Sequence, residues 1–224
     1  MKHRSIAIDG PSGAGKSTMA KRLAAELGFL YVDTGAIYRT LGLFALRQGA
    51  DPGDGEAVEP LLGKVSIRMA YAEDGLQHMY LDAEDVTQAI RTPEVSTAAS
   101  KISAIPAVRA FLLDMQRDMA RENDVVMDGR DIGTVVLPQA DVKIFLVAST
   151  EARAQRRYDE LLERGVETDF DQVLADIIER DQRDSGRATA PLRQAEDAQL
   201  VDTTEHSLEG SFQVLLRFVR EKLG

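Results

Sequence analysis

Short apolar runs alternate with longer stretches whose apolar residues recur at helical spacing. Residues 5–8 form such a run, ending in Asp9-Gly10, and predict a buried strand entering a turn. Residues 15–28 place Met19, Leu23 and Leu27 on one helical face and stop at Gly28. A second short strand is expected over 29–32, then a helix over about 35–48, with a loop at 51–55. Helices are expected over about 94–103 and 106–122. In the latter, Val108, Phe111, Leu112, Met115 and Met119 would make one apolar face. Residues 125–127 and 142–147 read as buried strands, 151–164 and 170–184 as charged helices, and 200–201 as a last strand. Leu208, Phe212, Leu215, Val219 and Leu223 stripe a terminal helix.

The alternation implies an α/β fold, a parallel sheet flanked by helices. The region from 60 to 90 breaks the pattern. Val65, Ile67, Met69 and Tyr71, and then Leu76, Met79 and Leu81, mark two roughly alternating segments across the turn signal Glu73-Asp74-Gly75. This predicts an inserted antiparallel hairpin.

Composition adds exclusions. With 224 residues the chain can bury a substantial core, and 44% apolar and 29% charged residues are ordinary for a globular protein. There is no cysteine, hence no disulfide, thiolate metal site or thiol nucleophile. No signal-peptide core or membrane-length apolar run is present, so a cytoplasmic location is expected. A net charge of −10 disfavours nucleic acid and anionic membranes as partners. An anionic ligand would need a local basic pocket. Of the 27 basic residues, 20 are arginine, whose planar fork matches phosphate oxygens in pairs.

Gly10-Pro11-Ser12-Gly13-Ala14-Gly15-Lys16-Ser17 fits G-x-x-x-x-G-K-[ST] between a predicted strand and a predicted helix. Glycines let such a loop wrap with its N–H groups turned inward. Those groups and the helix N-terminus then face phosphate oxygens. Lys16 is expected on the β- and γ-phosphates of a nucleoside triphosphate, Ser17 on Mg²⁺ and Thr18 on the α-phosphate. The dinucleotide fingerprint fails, since Thr18 stands where its third glycine is required. A regulatory GTPase would need Asn-Lys-x-Asp and Asp-x-x-Gly, and neither occurs.

Three further segments carry candidate chemistry. In Asp33-Thr34-Gly35-Ala36-Ile37-Tyr38-Arg39, Thr34 can cap a helix and Arg39 can reach a phosphate; plain capping explains Asp33 and Thr34 equally well. In Asp128-Gly129-Arg130-Asp131, an acidic residue ends a buried strand, where P-loop proteins hold magnesium waters. The alternative there is a surface turn. Arg180, Asp184 and Arg187 share one helical face if the helix persists to 187; the alternative is a solvated face, to which Arg183 is assigned.

Together, IAIDGPSGAGKST, VDTGAIYR, IRTPEVSTAASKISAIPAVR, MDGRDIGTVVLPQADVKIFLVAS and ERDQRDSGRATAPL resemble bacterial-type cytidylate kinases over about residues 4–203. The resemblance implies a single P-loop kinase domain. Its core would span about 1–59, 96–149 and 166–224, its monophosphate-binding insert about 60–95 and its lid about 150–165. It implies Thr34, Arg39 and Arg130 at the acceptor phosphate, and Ser100, Arg109 and Asp131 at the cytosine edge. Arg109 would hold the base or lock Asp131. Arg180, Asp184 and Arg187 would contact the acceptor nucleotide, and Arg153, Arg156 and Arg157 would belong to the lid over ATP. The implied reaction is ATP + CMP (or dCMP) → ADP + CDP (or dCDP), with Mg²⁺; a monomer is expected, because two moving subdomains leave little surface free. UMP, AMP or a shikimate-like acceptor are the alternatives, and a regulatory ATPase module is a more distant one.

The acceptor is itself an anionic phosphate oxygen and needs no general base. His3, His78 and His206 form no cluster in the sequence. The site must supply positioning and positive charge, with Lys16, Arg39, Arg130 and Arg187 as the expected catalytic cations.

Overall fold

All five residues of β1 (Ser5–Asp9) are buried, because this strand is central and paired on both sides. The computed structural model describes residues 3–71, 76–205 and 208–224. Two compact units emerge: residues 1–31 with 122–224, and residues 32–121.

The first unit carries a five-stranded sheet in the order β2-β6-β1-β7-β8. β1 runs parallel to β6 (Val125–Gly129) and to β7 (Val142–Val147), and β7 runs parallel to the edge strand β8 (Gln199–Asp202). β2 (Leu30–Asp33) begins in this unit and leads the chain out of it. One apolar cluster joins Ile6 and Ile8 of β1 and Ile144 and Leu146 of β7 to α1 (Lys16–Leu27), through Met19 and Leu23. It also takes in α8 (Leu208–Leu223), through Phe212, Leu215 and Val219. The terminal stripe therefore faces the sheet as expected, with Leu223 at its margin; the side chain of Leu208 lies outside the described residues. α6 (Thr150–Glu163) and α7 (Phe170–Ser185) form a helical pair with a smaller core of Ala154, Leu161, Val173 and Ile177.

The second unit packs α2 (Thr34–Arg47), α4 (Pro93–Ile102) and α5 (Pro106–Glu122) with an antiparallel sheet around a separate apolar core. The hairpin is present: β3 (Ile67–Tyr71) pairs with β4 (Gln77–Leu81), Met69 opposite Met79. Its proposed turn at Glu73-Asp74-Gly75 lies outside the described residues. A two-residue strand, β5 (Glu84–Asp85), extends the sheet.

Two expectations need correction. Gly55–Leu62 forms an additional short helix, α3, begun by Asp54, whose side chain accepts the Glu56 and Ala57 N–H groups. Its eight residues and internal Pro60 hide the helical period. The apolar face of α5 is also narrower than its pattern implied. Val108 and Leu112 are buried, but Phe111 is 40% exposed, one position off the stripe. No helix among the described residues is long and apolar enough to cross a membrane.

Candidate active site

The phosphate-binding loop joins β1 to α1 within the first unit. Gly10 has φ +149°, and a Cβ there would collide with the Leu146 carbonyl oxygen of β7, so only glycine allows the loop to leave the sheet at this point. Gly15 caps α1 at φ +89°, a left-handed conformation that leaves the first N–H groups of the helix available for an anion. Lys16 is buried, and its Nζ donates to the Pro11 carbonyl at 2.7 Å across the mouth of the loop. Burial first, and the Arg130 charge second, push the Lys16 ammonium well below its usual range, while Asp128 pulls the other way. A polyphosphate beside it would restore the charged form.

Asp128 is buried near the end of β6, which excludes the surface-turn alternative. The Ser17 hydroxyl donates to Asp128 Oδ2 at 2.8 Å and the Tyr31 hydroxyl to Oδ1 at 3.0 Å. No group of three or more His, Cys, Asp or Glu suited to a metal occurs among the described residues. The pair of a serine hydroxyl and a carboxylate nevertheless fits Mg²⁺, which takes few protein oxygens and completes its shell with water and nucleotide phosphates.

Arg130, Arg180 and Arg187 surround Asp184. Arg130 Nε donates to Asp184 Oδ2 at 2.8 Å, and Arg187 Nη2 donates to Oδ1. Burial raises the Asp184 pKa, but the charges of Arg130, Arg187 and Arg180 outweigh it and hold the carboxyl below its usual range. Three guanidinium groups around one carboxylate leave excess positive charge for an anion. The solvated-face alternative therefore fails for Asp184, whose side chain is 1% exposed. It holds for Arg183, which pairs with Glu179 on the same helix. α7 ends at Ser185, so Arg187 lies past the helix and reaches Asp184 from the turn that follows. Asp131 is buried at the head of a tight turn, Ile132–Val136.

The predicted lid arginines differ sharply from one another. Arg153 is buried and donates to the carbonyls of Ala148 and Ser12 and to both Asp181 oxygens. Arg156 donates from Nη2 to the Thr203 carbonyl at 2.7 Å. With Ala14, Gly15, Thr18, Met19, Thr203 and Ser211 it lines a cavity of about 240 Å³ beside the phosphate loop. Arg157 pairs with Glu160 one turn along the same helix at 2.8 Å.

In the second unit, Thr34 is the first residue of α2 and not its cap; Asp33 caps the helix by accepting the Ala36 N–H at 2.9 Å. Asp33 also takes Arg39 Nη2 at 2.8 Å, while Gln77 of β4 pins the Asp33 main chain. Arg39 Nε is buried without a hydrogen-bond partner, an orphaned donor on a cation expected to meet phosphate. Burial raises the Asp33 pKa, but Arg39 and the Ala36 N–H outweigh it and lower the pKa. Ser100 and Arg109 are brought together through Ser103: Arg109 Nη1 donates to the Ser103 carbonyl, and the Ser103 hydroxyl donates to the Ser100 carbonyl. Arg109 also lies over the Tyr38 ring at 5.7 Å.

Several contributors escaped sequence reasoning: Asp9, Tyr31, Asp181 and Thr203. Asp9 directly follows a predicted strand and Tyr31 lies within one, each beside a motif, and that position is the available signal.

Among solved structures, an uncharacterized protein from Eubacterium ventriosum ATCC 27560 shares the fold. Its TM-score is 0.54 at 11% identity, over 97% of this chain and 99% of that one. A cytidylate kinase from Exiguobacterium sp. (strain ATCC BAA-1283 / AT1b) is 48% identical over 220 residues, 98% of each chain. Another from Caldicellulosiruptor bescii (strain ATCC BAA-1888 / DSM 6725 / KCTC 15123 / Z-1320) is 49% identical over 216 residues, 96% of this chain and 95% of that one. The family model described as cytidylate kinase matches residues 6–221. With the glycine loop, Lys16 and the arginine cluster about Asp184 in place, the chain belongs to the cytidylate kinase family.

Proposed function

We propose that this protein transfers the γ-phosphoryl group of ATP to CMP or dCMP, giving ADP and CDP or dCDP. The observation that carries the proposal is a second cluster of cations near Lys16. Arg130, Arg180 and Asp184 all act on the charge of Lys16, so the arginine cluster and the phosphate loop share one electrostatic neighbourhood. A nucleotide-hydrolysing switch has no use for the second cluster, whereas direct transfer between two phosphates requires it.

The loop N–H groups and Lys16 hold the ATP phosphates, with Thr18 on the α-phosphate. Arg156 borders the cavity for the donor nucleoside. Ser17 and, through water, Asp128 would hold Mg²⁺, which would supply further neutralisation of the phosphate charge. Arg130, Arg180 and Arg187 bind and orient the acceptor nucleotide, and Asp184 fixes the directions of the guanidinium planes. In the second unit, Thr34 and Arg39 are assigned to the acceptor phosphate, and Ser100 and Arg109 to the cytosine edge. Asp131, as a carboxylate acceptor, selects the exocyclic amino group that uracil lacks. No proton need be removed, because the attacking oxygen is already anionic. Catalysis reduces to alignment, charge compensation and exclusion of water.

Residues of about 60–95 and 150–165 are proposed to close when both nucleotides bind. The enzyme is proposed to work in the cytoplasm as a monomer, and its net charge of −10 argues against a nucleic-acid or membrane partner. The test is ADP production from Mg-ATP with CMP, dCMP, UMP, AMP or shikimate supplied separately. CMP and dCMP are expected to turn over fastest. Equal ADP release with and without CMP would overturn the assignment.

A further inference from the structure

We propose that Asp9 is a positioning residue that ties the base of the phosphate loop to the tight turn that directly follows Arg130 and Asp131. Asp9 is the last residue of β1, directly before Gly10, and lies in register with Gly129 of β6 on one side and Phe145 of β7 on the other. Its side chain leaves the sheet toward the tight turn. Oδ1 accepts the Ile132 N–H at 2.8 Å and Oδ2 accepts the Gly133 N–H at 2.7 Å.

A turn that opens so abruptly after a strand leaves its first N–H groups without partners inside the turn. Asp131 occupies the capping position, yet its side chain makes no capping bond. Asp9 performs that task from another strand. Its carboxylate is buried, so no water substitutes for it. Gly133 is matched to the arrangement: a Cβ there would lie 3.1 Å from Lys143 Cδ and 3.4 Å from Asp9 Oδ2.

The two ends of this tie are held unequally. The start of the phosphate loop is fixed by main-chain pairing of Asp9 on both sides and by the close approach of Gly10 to Leu146. The peptides at 132 and 133, which orient Asp131, receive their N–H bonds from the Asp9 carboxylate. Weakening the carboxylate should therefore disturb acceptor recognition far more than ATP binding. The inference rests on the assignment of Arg130 and Asp131 to the acceptor made above.

Asp9→Asn tests it, because an amide keeps the shape but has one accepting oxygen for two N–H donors. The expected result is a KM for CMP raised by about tenfold, with the KM for ATP within about twofold of the parent. The preference for CMP over UMP should also fall by at least about fivefold. Gly133→Ala is the second variant. It keeps the carboxylate but crowds the turn, and it should shift the CMP-to-UMP preference in the same direction by about threefold, so it decides the matter should Asp9→Asn fail to fold. An unchanged CMP-to-UMP preference in the variants that fold, or a parallel rise in both KM values, would overturn the inference. Wild type and Asp131→Asn are assayed alongside. Wild type inactive on CMP, or Asp131→Asn with undiminished cytosine preference, would overturn the underlying assignment instead.

Discussion

Arg153 grips Asp181 with both terminal nitrogens, Nη1 to Oδ1 at 3.1 Å and Nη2 to Oδ2 at 2.6 Å. The pair joins α6 to α7, and the same guanidinium reaches back to the Ser12 carbonyl in the phosphate loop at 3.1 Å. Arg153 thus connects the proposed lid helix, the helix carrying Arg180 and Asp184, and the donor site. Its side chain is 4% exposed, so the bonds are shielded from water and salt.

Arg153→Ala should therefore act on stability before it acts on chemistry. Removing one member of a largely buried, bidentate pair leaves Asp181 without its partner and costs about 3 kcal/mol. Thermal unfolding is expected to shift down by roughly 6–12 °C for a chain of this size. A melting temperature equal to that of wild type would show that the pair contributes nothing in solution. Arg157→Ala is the contrast: its partner Glu160 lies on the same exposed helical surface, and little change is expected.

Lys16→Met keeps the hydrocarbon stem and removes the ammonium. In the structure the ammonium is held by the Pro11 carbonyl, so the folded state loses one hydrogen bond and little else. Phosphoryl transfer should fall by about 10²–10³-fold, since the cation acts where charge shifts in the transition state. The measurement is kcat for CMP phosphorylation at saturating ATP, with circular dichroism to check folding. Retained kcat would remove Lys16 from the chemistry.

The donor side of the site was legible in the sequence because its geometry is local. One glycine-rich segment between a strand and a helix contains nearly every group proposed to meet the triphosphate, and its spacing is fixed by the backbone. The sheet and its helices were legible for the same reason: apolar periods mark faces. The residues proposed for the acceptor come from distant segments. That Asp184 draws in Arg130 from 54 residues away has no sequence signature, and the i, i+4, i+7 spacing pointed to a helix that in fact ends before Arg187. The resemblance supplied those positions where periodicity did not. Asp9 shows the remaining gap most clearly. It reads as the polar end of a strand, and only the folded chain reveals that its carboxylate serves Ile132 and Gly133, over 120 residues on.

Asp184→Asn should cost stability with a defined pH dependence. The surrounding arginines lower the folded-state pKa of Asp184 below 3.8, its ordinary value. Above 3.8 the folded and unfolded states both carry the ionised group, and its stabilisation is fully present. As pH falls from there through the folded-state pKa, the unfolded state takes up the proton first and the stabilisation is lost. The stability difference between wild type and Asp184→Asn is therefore expected to be constant near neutrality and to shrink in acid. Urea unfolding across a pH series measures it. A difference that grows on acidification would contradict the ion-pair account.

Asp9 should behave with the opposite sign. Burial raises its pKa from 3.8 to about 7, against the lowering effect of the Gly133 and Ile132 N–H groups, with Asp131 adding to the rise and Lys16 opposing it. Between those two pH values the folded state binds the proton and the unfolded state does not. Stability contributed by Asp9 is thus present below 3.8 and is lost as pH rises toward and through 7. Relative to Asp9→Asn, which has no charge to bury, wild type is expected to gain stability when pH is lowered across this window. The same urea series reads the effect, and the two carboxylates can be separated because their windows lie on opposite sides of 3.8. A wild-type advantage that is flat between 3.8 and 7 would mean that the Asp9 carboxylate is solvated more than its place behind the turn allows. Bound ATP brings negative charge beside Lys16, and like charge disfavours ionisation of a nearby carboxylate, so the window should move upward. Repeating the series with bound nucleotide therefore tests the coupling between Asp9 and the donor site.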